Sequence, residues 1–292
     1  MRMEDQDESR NVEDVRGESG GGFGFRPIHG IGLGTIGVAL LAGWFLGINP
    51  LQVLSVLSGA SVSSVPSSPA PPSVPGAEDA DVKFVSQILR STEVVWEDVF
   101  QAAGRSYEEP RLVLYRDSWP TACGQGAAAM GPFYCPRDHK VYLDLGFFDL
   151  MTRRLGAPGQ FAHAYVVAHE VGHHVQNLLG IIPKVDAARA RASEAQSNAL
   201  SVRLELQADC LAGMWATRSQ QERGWRLEPG DVETALNAAS QIGDDTLQRR
   251  AQGTVVAESF THGTSAQRVG WFKRGLEAAT IQGCDTFAAD AP

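Results

Sequence analysis

Basic residues never gather in this 292-residue chain. No run of Lys or Arg exceeds two residues, as at Arg153-Arg154 and Arg249-Arg250, and the formal net charge is -9. A polyphosphate backbone needs a basic face that neutralises it, so nucleic acid is excluded as the main partner. Cysteine is scarce, at four residues, and no Cys-x-x-Cys spacing occurs, which argues against a thiolate-held structural metal site. Internal repeats are not evident. One stretch lacks charge altogether: the 21 residues 28–48 contain no Asp, Glu, Lys or Arg, and His29 and Thr35 are the polar side chains among them. Bounded by Pro27 and Asn49-Pro50, this stretch is long enough to span a bilayer as one transmembrane helix.

The flanks of that stretch suggest an organisation. Residues 1–27 are polar and Gly-rich and are expected to be a disordered cytoplasmic tail. Four arginines (Arg2, Arg10, Arg16, Arg26) precede the apolar residues and none follows until Lys83 brings the next cation. The positive-inside tendency then puts the N-terminus in the cytoplasm and the rest on the exoplasmic side, periplasmic or extracellular. A cleaved signal peptide is the competing reading, with Ser58-Gly59-Ala60 as a small-residue site, but the span is long for an h-region and the leader is acidic. Residues 49–77 form a Ser/Pro/Ala-rich linker, leaving 78–292 as the folded domain. Gly30 with Gly34 and Gly43 with Gly47 have the small-xxx-small spacing of helix contacts in lipid. All four cysteines follow the apolar stretch, and an even number in an oxidising compartment suggests two bridges. Proximity favours Cys123 with Cys135, leaving Cys210 with Cys284.

The densest chemistry lies at His169-Glu170-Val171-Gly172-His173, an H-E-x-x-H pattern. Two residues four apart on a helix differ by only about 40° around the axis, so one ion can touch both imidazoles while Glu170 stands beside them. Ala164, Val167, Ala168, Val171, Val175 and Leu178 recur at helical spacing across the motif until Gly180 and Pro183. Catalytic zinc sites of this kind use two His and one carboxylate and leave a position for water. Glu205 and Asp209, also i, i+4, could supply that carboxylate and an orienting hydrogen bond to the far nitrogen of a ligating His. Leu200, Leu204, Ala208, Leu211 and Trp215 give their helix an apolar stripe. His174 lies about 100° from His173 and His163 about 240° from His169, so both fall off the metal face.

The stretches HEVGHHVQ, LELQADC, GPFYCPRDHKVYLDL and SFTHGTSAQR, with Asn11-Val12-Glu13-Asp14, resemble the bacterial neutral zinc metallopeptidases, which are gluzincin-like. The resemblance covers most of the chain from about residue 78. It implies an α+β, mainly helical zincin-like domain with a small β-hairpin or sheet, one Zn2+ ion held by His169, His173 and Glu205, and Glu170 as general base for peptide hydrolysis. It also singles out His262, in Ser259-Phe260-Thr261-His262-Gly263, as donor to the oxyanion, although Gly263 stands where other membrane-associated gluzincins carry Pro. Arg268 is expected to be structural.

The remaining expectations are coarse. Helices are expected at about 82–103, 147–155, 160–179, 193–218, 231–252 and 265–279, with Asp231 as an N-cap, and strands at Arg111–Tyr115 and Lys140–Leu145. In a zincin the second strand would lie above the metal and pair with an extended substrate. The resulting reading is a membrane-anchored zinc peptidase, an endopeptidase, with a peptide or protein substrate and the bilayer as partners. A catalytically inactive zinc-binding scaffold and a metal-free tethered domain are the alternatives.

Overall fold

The computed structural model describes residues 1–3, 6–18, 77–127, 131–221 and 225–288. The expected apolar anchor, 28–48, and most of the linker lie outside them. Among the described residues no helix is long and apolar enough to cross a membrane. The domain is a mixed α+β structure, mostly helical, with small sheets.

The first long helix, α1 (Ala77–Ala102), buries Val85, Ile88, Leu89, Trp96 and Phe100, spaced by three, one, seven and four residues along one face. A four-stranded sheet follows, ordered β2-β3-β7-β6 from β2 (Val12–Asp14), β3 (Arg111–Tyr115), β6 (Phe133–Cys135) and β7 (Lys140–Asp144). β3 is parallel to β2 and β7, whereas β6 is antiparallel to β7. Inner strands buried on both faces read as unbroken apolar runs, which is why Leu112 to Tyr115 and Val141 to Leu143 show no polar alternation in burial. β4 (Ser118–Thr121) and β5 (Gly124–Ala127) make a separate hairpin. Two-residue β1 (Arg2–Met3) pairs with β8 (Trp225–Arg226).

Two expectations fail at the sheet. Residues 1–3 and 6–18, expected to be part of a disordered tail, carry β1 and β2. Glu13 bonds Arg111 and Lys140 at 2.7 Å each, and Ser9 and Asn11 both bond the buried carboxylate of Glu93. Backbone pairing, these ion pairs and the buried Ser9–Glu93 hydrogen bond thus order a polar segment whose sequence has little apolar surface of its own. A strand hydrogen-bonded within a sheet lies on the same side of any bilayer as that sheet. Secondly, Lys140–Asp144 is an inner strand bonded on both sides, so it has no free edge for a substrate. The edge beside the helices is β6.

Helices make up the rest: α2 (Gly146–Leu150, continuing as a π turn to Leu155), α3 (Gln160–Leu178), α4 (Ile181–Arg189), α5 (Glu194–Arg218), α6 (Asp231–Gln241), α7 (Asp244–Gln252) and α8 (Ser265–Glu277). Pro183, read as a stop signal, sits in the first turn of α4, where its missing N–H costs nothing. The helix expected at 231–252 breaks at Ile242-Gly243, and its N-cap is Gly230 rather than Asp231. α5 and α8 open with complete capping boxes, Ser193 with Gln196 and Thr264 with Gln267. Both disulfides pair as expected: Cys123–Cys135 ties the β4–β5 turn to β6, and Cys210–Cys284 ties α5 to the C-terminal segment.

Candidate metal centre

Helices α3 and α5 cross where their side chains are smallest. A Cβ on Gly172 would lie 3.1 Å from the carbonyl oxygen of Ala208 and 3.2 Å from its Cα, so the variable position of His169-Glu170-Val171-Gly172-His173 is what lets the two backbones approach. His169 and Glu205 stand three residues before this contact on their helices, and His173 directly follows Gly172. Their ligand atoms all lie within 4.8 Å of one another, the one such His/Cys/Asp/Glu grouping among the described residues. The Glu205 carboxylate straddles both rings, with Oε2 3.1 Å from His169 Nε2 and Oε1 3.4 Å from His173 Nε2. The rings stand 4.8 Å apart and almost perpendicular, at 89°. Two imidazole nitrogens and a carboxylate oxygen converging in a largely buried cleft form a donor set suited to zinc.

Electrostatics favour positive charge at this centre. Burial alone would lower the pKa of His169, but Asp209 and Glu205 outweigh it and push the ring up to about 10. Glu205, although buried, is held well below the usual carboxylate range by His173 and His169. Glu170 behaves oppositely: burial raises its pKa, the two histidines offset only part of that, and it accepts no hydrogen bond among the described residues. It is a carboxylate beside the centre with its oxygens unspent.

Asp209 occupies the position expected of an orienter. Its Oδ1 lies 2.9 Å from His169 Nδ1, leaving Nε2 to face the cleft. The structure adds two partners that were not expected of it. Tyr165 donates its hydroxyl to Asp209, and Arg268 grips both carboxylate oxygens, Nε at 2.8 Å and Nη2 at 2.9 Å. Arg268, expected to be structural, is a buried part of the centre, and with His169 it holds Asp209 at about 2 against burial. Tyr165 lies one turn before His169, so the helical spacing carried its signal.

His262 reaches the neighbourhood from the loop before α8. Its Nδ1 lies 3.2 Å from Asp244 Oδ1, and the other Asp244 oxygen accepts the backbone N–H groups of Thr261, His262 and Gly263 at 2.7, 2.7 and 3.1 Å. Gly263 adopts φ 90°. Proline could neither reach that angle nor supply that N–H, which accounts for the departure from His-Pro. Desolvation, which lowers the pKa of His262, is outweighed by Asp244 and by the charge of Glu205, so the ring lies within electrostatic reach of the centre. Its side chain remains 44% exposed. Asp244 was not foreseen; its only sequence sign is an acidic residue opening a helix after Gly243.

The other histidines fall where their helical angles put them. His174 is fully buried, bonds Tyr134 and the carbonyl of Glu108, and is pushed by burial to about 4. His163 stacks on Phe148 at 4.2 Å, and burial likewise pushes it to about 4.

A family model described as "Putative neutral zinc metallopeptidase" matches residues 1–287. The chain is 50% identical over 292 residues to the uncharacterized protein YpfJ of Escherichia coli (strain K12), covering 98% of this chain and 99% of that one. It is 40% identical over 208 residues to the uncharacterized protein Rv2575 of Mycobacterium tuberculosis (strain ATCC 25618 / H37Rv), 68% of each chain. No solved structure matches it.

Proposed function

Because the chain belongs to the neutral zinc metallopeptidase family, we propose that it is a zinc-dependent endopeptidase with its reaction centred between α3 and α5. The convergence of His169, His173 and Glu205 is the observation that carries this reading. One zinc ion held there would supply Lewis acidity toward a peptide carbonyl and bring the pKa of water near about 7. Glu170 then takes a proton from the attacking water and passes it to the leaving amine, a role favoured by its burial, raised pKa and unspent oxygens. His262, with Nδ1 committed to Asp244, presents Nε2–H to the developing oxyanion. Asp209, braced by Arg268 and Tyr165, keeps His169 in the tautomer whose Nε2 faces the cleft. The substrate pairs as an added strand along β6, the edge packed against α3.

Membrane attachment through residues 28–48 belongs to the same proposal. The β2–β3 ladder favours an arrangement in which both flanks of that stretch share a side with the peptidase domain, and the two disulfides favour the oxidising, exoplasmic side. The test of function is cleavage of an unstructured protein such as casein by the full-length chain. Activity should vanish with a chelator, return with zinc, and be lost in Glu170→Gln while zinc is retained. A zinc-loaded wild type that binds such proteins without cutting them would instead identify a scaffold.

A further inference from the structure

The outward nitrogen of His173 is not left to solvent. Its Nδ1 lies 2.8 Å from Oε1 of Gln176, which is completely buried one turn along α3. Gln176 Nε2 donates to the carbonyl of Leu204 at 2.7 Å and to Oε1 of Gln207 at 3.0 Å. Gln207, also buried, donates its own Nε2 to the carbonyl of Cys284 at 3.0 Å. Cys284 is anchored by its disulfide to Cys210, one turn beyond Gln207 on α5.

The direction of this chain of amides is set by its ends. A backbone carbonyl can only accept, so the Cys284 carbonyl demands the NH2 of Gln207 and turns the Gln207 oxygen toward Gln176. The Leu204 carbonyl and that oxygen then demand both N–H bonds of Gln176, which turns the Gln176 oxygen toward His173. Facing an acceptor, His173 Nδ1 must carry the proton, and the lone pair is left on Nε2, the atom beside Glu205. Leu204 adjoins Glu205 through one peptide bond, so a single amide side chain ties both ligand-bearing helices at the level of their ligands.

We infer that Gln176 is a positioning residue of the metal centre, and that Gln207 and the disulfide-anchored residues around Cys284 set its orientation. His169 is fixed by a carboxylate and His173 by a relay of neutral amides, so the pair is oriented while only one buried anion is spent on it. This inference rests on the zinc reading above, and the two fail differently: a wild-type chain that binds no zinc removes that reading, whereas the present one fails by comparison among variants.

The test is zinc affinity of the full-length chain in detergent, by competition with a chromophoric chelator, together with the visible spectrum of the cobalt(II)-substituted protein. Gln176→Met, of similar length, should bind zinc about 10–100-fold more weakly and shift the cobalt bands. Gln207→Met, which touches no ligand, should give a smaller loss of roughly several-fold with the same direction of spectral change. Thermal melting of the metal-free variants separates general instability from loss of orientation, because destabilisation alone leaves the cobalt spectrum of the folded fraction unchanged. Zinc affinity within about twofold of wild type and an unaltered cobalt spectrum in Gln176→Met would overturn the inference. Should Gln176→Met not fold, the same result in Gln207→Met would overturn the relay.

Discussion

Replacing Asp209 by Asn and Arg268 by Met, singly and together, probes how the centre is held. Asp209 is fully buried and Arg268 is 2% exposed, and they share two hydrogen bonds of 2.8 and 2.9 Å. Asp209→Asn strands the buried Arg268 charge, a loss that costs about 3–5 kcal/mol, whereas Arg268→Met leaves Asp209 facing the protonated His169 and costs less. At roughly 2–4 °C per kcal/mol for a domain of this size, metal-free Asp209→Asn should melt about 6–20 °C below wild type, and Arg268→Met by less. The double variant strands neither charge and should fall close to the better single variant, with a coupling of about 2 kcal/mol or more in denaturant unfolding. Zinc competition should divide the two differently. Asp209→Asn removes the anionic acceptor from His169 and should weaken zinc about 10–100-fold, whereas Arg268→Met keeps that acceptor and should lose much less. Additive destabilisation in the double variant, or equal zinc loss in both single variants, would refute this account of the pair.

Zinc must displace the proton that the metal-free centre holds on His169 up to about pH 10, and the nearby Glu205 raises His173 as well against its burial, so affinity should rise with pH by at least about tenfold per unit between pH 6.5 and that point, measured by chelator competition. The same shift has a stability sign. A pKa raised above the ordinary 6.5 stabilises the metal-free fold in full below pH 6.5, and that contribution fades as pH rises through about 10; Asp209, lowered from 3.8 to about 2, contributes above pH 3.8 and loses its contribution as pH falls through about 2. His262→Ala should reduce kcat by about 10²–10³ with zinc content unchanged; an undiminished kcat would remove the oxyanion role. Cysteines introduced at exposed Arg10 and Arg191 should both react with a membrane-impermeant maleimide in intact spheroplasts, or both be protected, and labelling of one alone would contradict the shared side that the β2–β3 ladder requires.

Much of this centre is legible in the sequence because helices convert spacing into direction. His169 with His173, and Glu205 with Asp209, sit four apart, and their faces follow from geometry alone. The exclusion of His163 and His174 follows in the same way. Gly172 carried a signal too, though its meaning needs the second helix. What escaped depends on contacts between distant segments. Val12-Glu13-Asp14 lies in a polar stretch and becomes a strand through its ladder with β3 and the meeting of Glu13 with Arg111 and Lys140 from β3 and β7. Asp244 meets His262 across 18 residues, and Gln207 meets the Cys284 carbonyl across 77, separations that no periodicity records. Amides are especially mute, since Gln is as common on solvated helix faces as in a buried relay. The strand expected to pair with substrate lacks a free edge for a related reason: the buried apolar run Val141 to Leu143 marks an inner strand, and the shorter Phe133–Cys135 takes the edge.

The claim that two helices bring His169, His173 and Glu205 onto one cation is tested most directly by zinc content of the purified full-length chain, measured by elemental analysis after removal of loosely bound metal. Wild type and Glu170→Gln should each carry one zinc per chain, and Glu205→Ala should carry almost none. Wild type without zinc, or Glu205→Ala with a full equivalent, would contradict it.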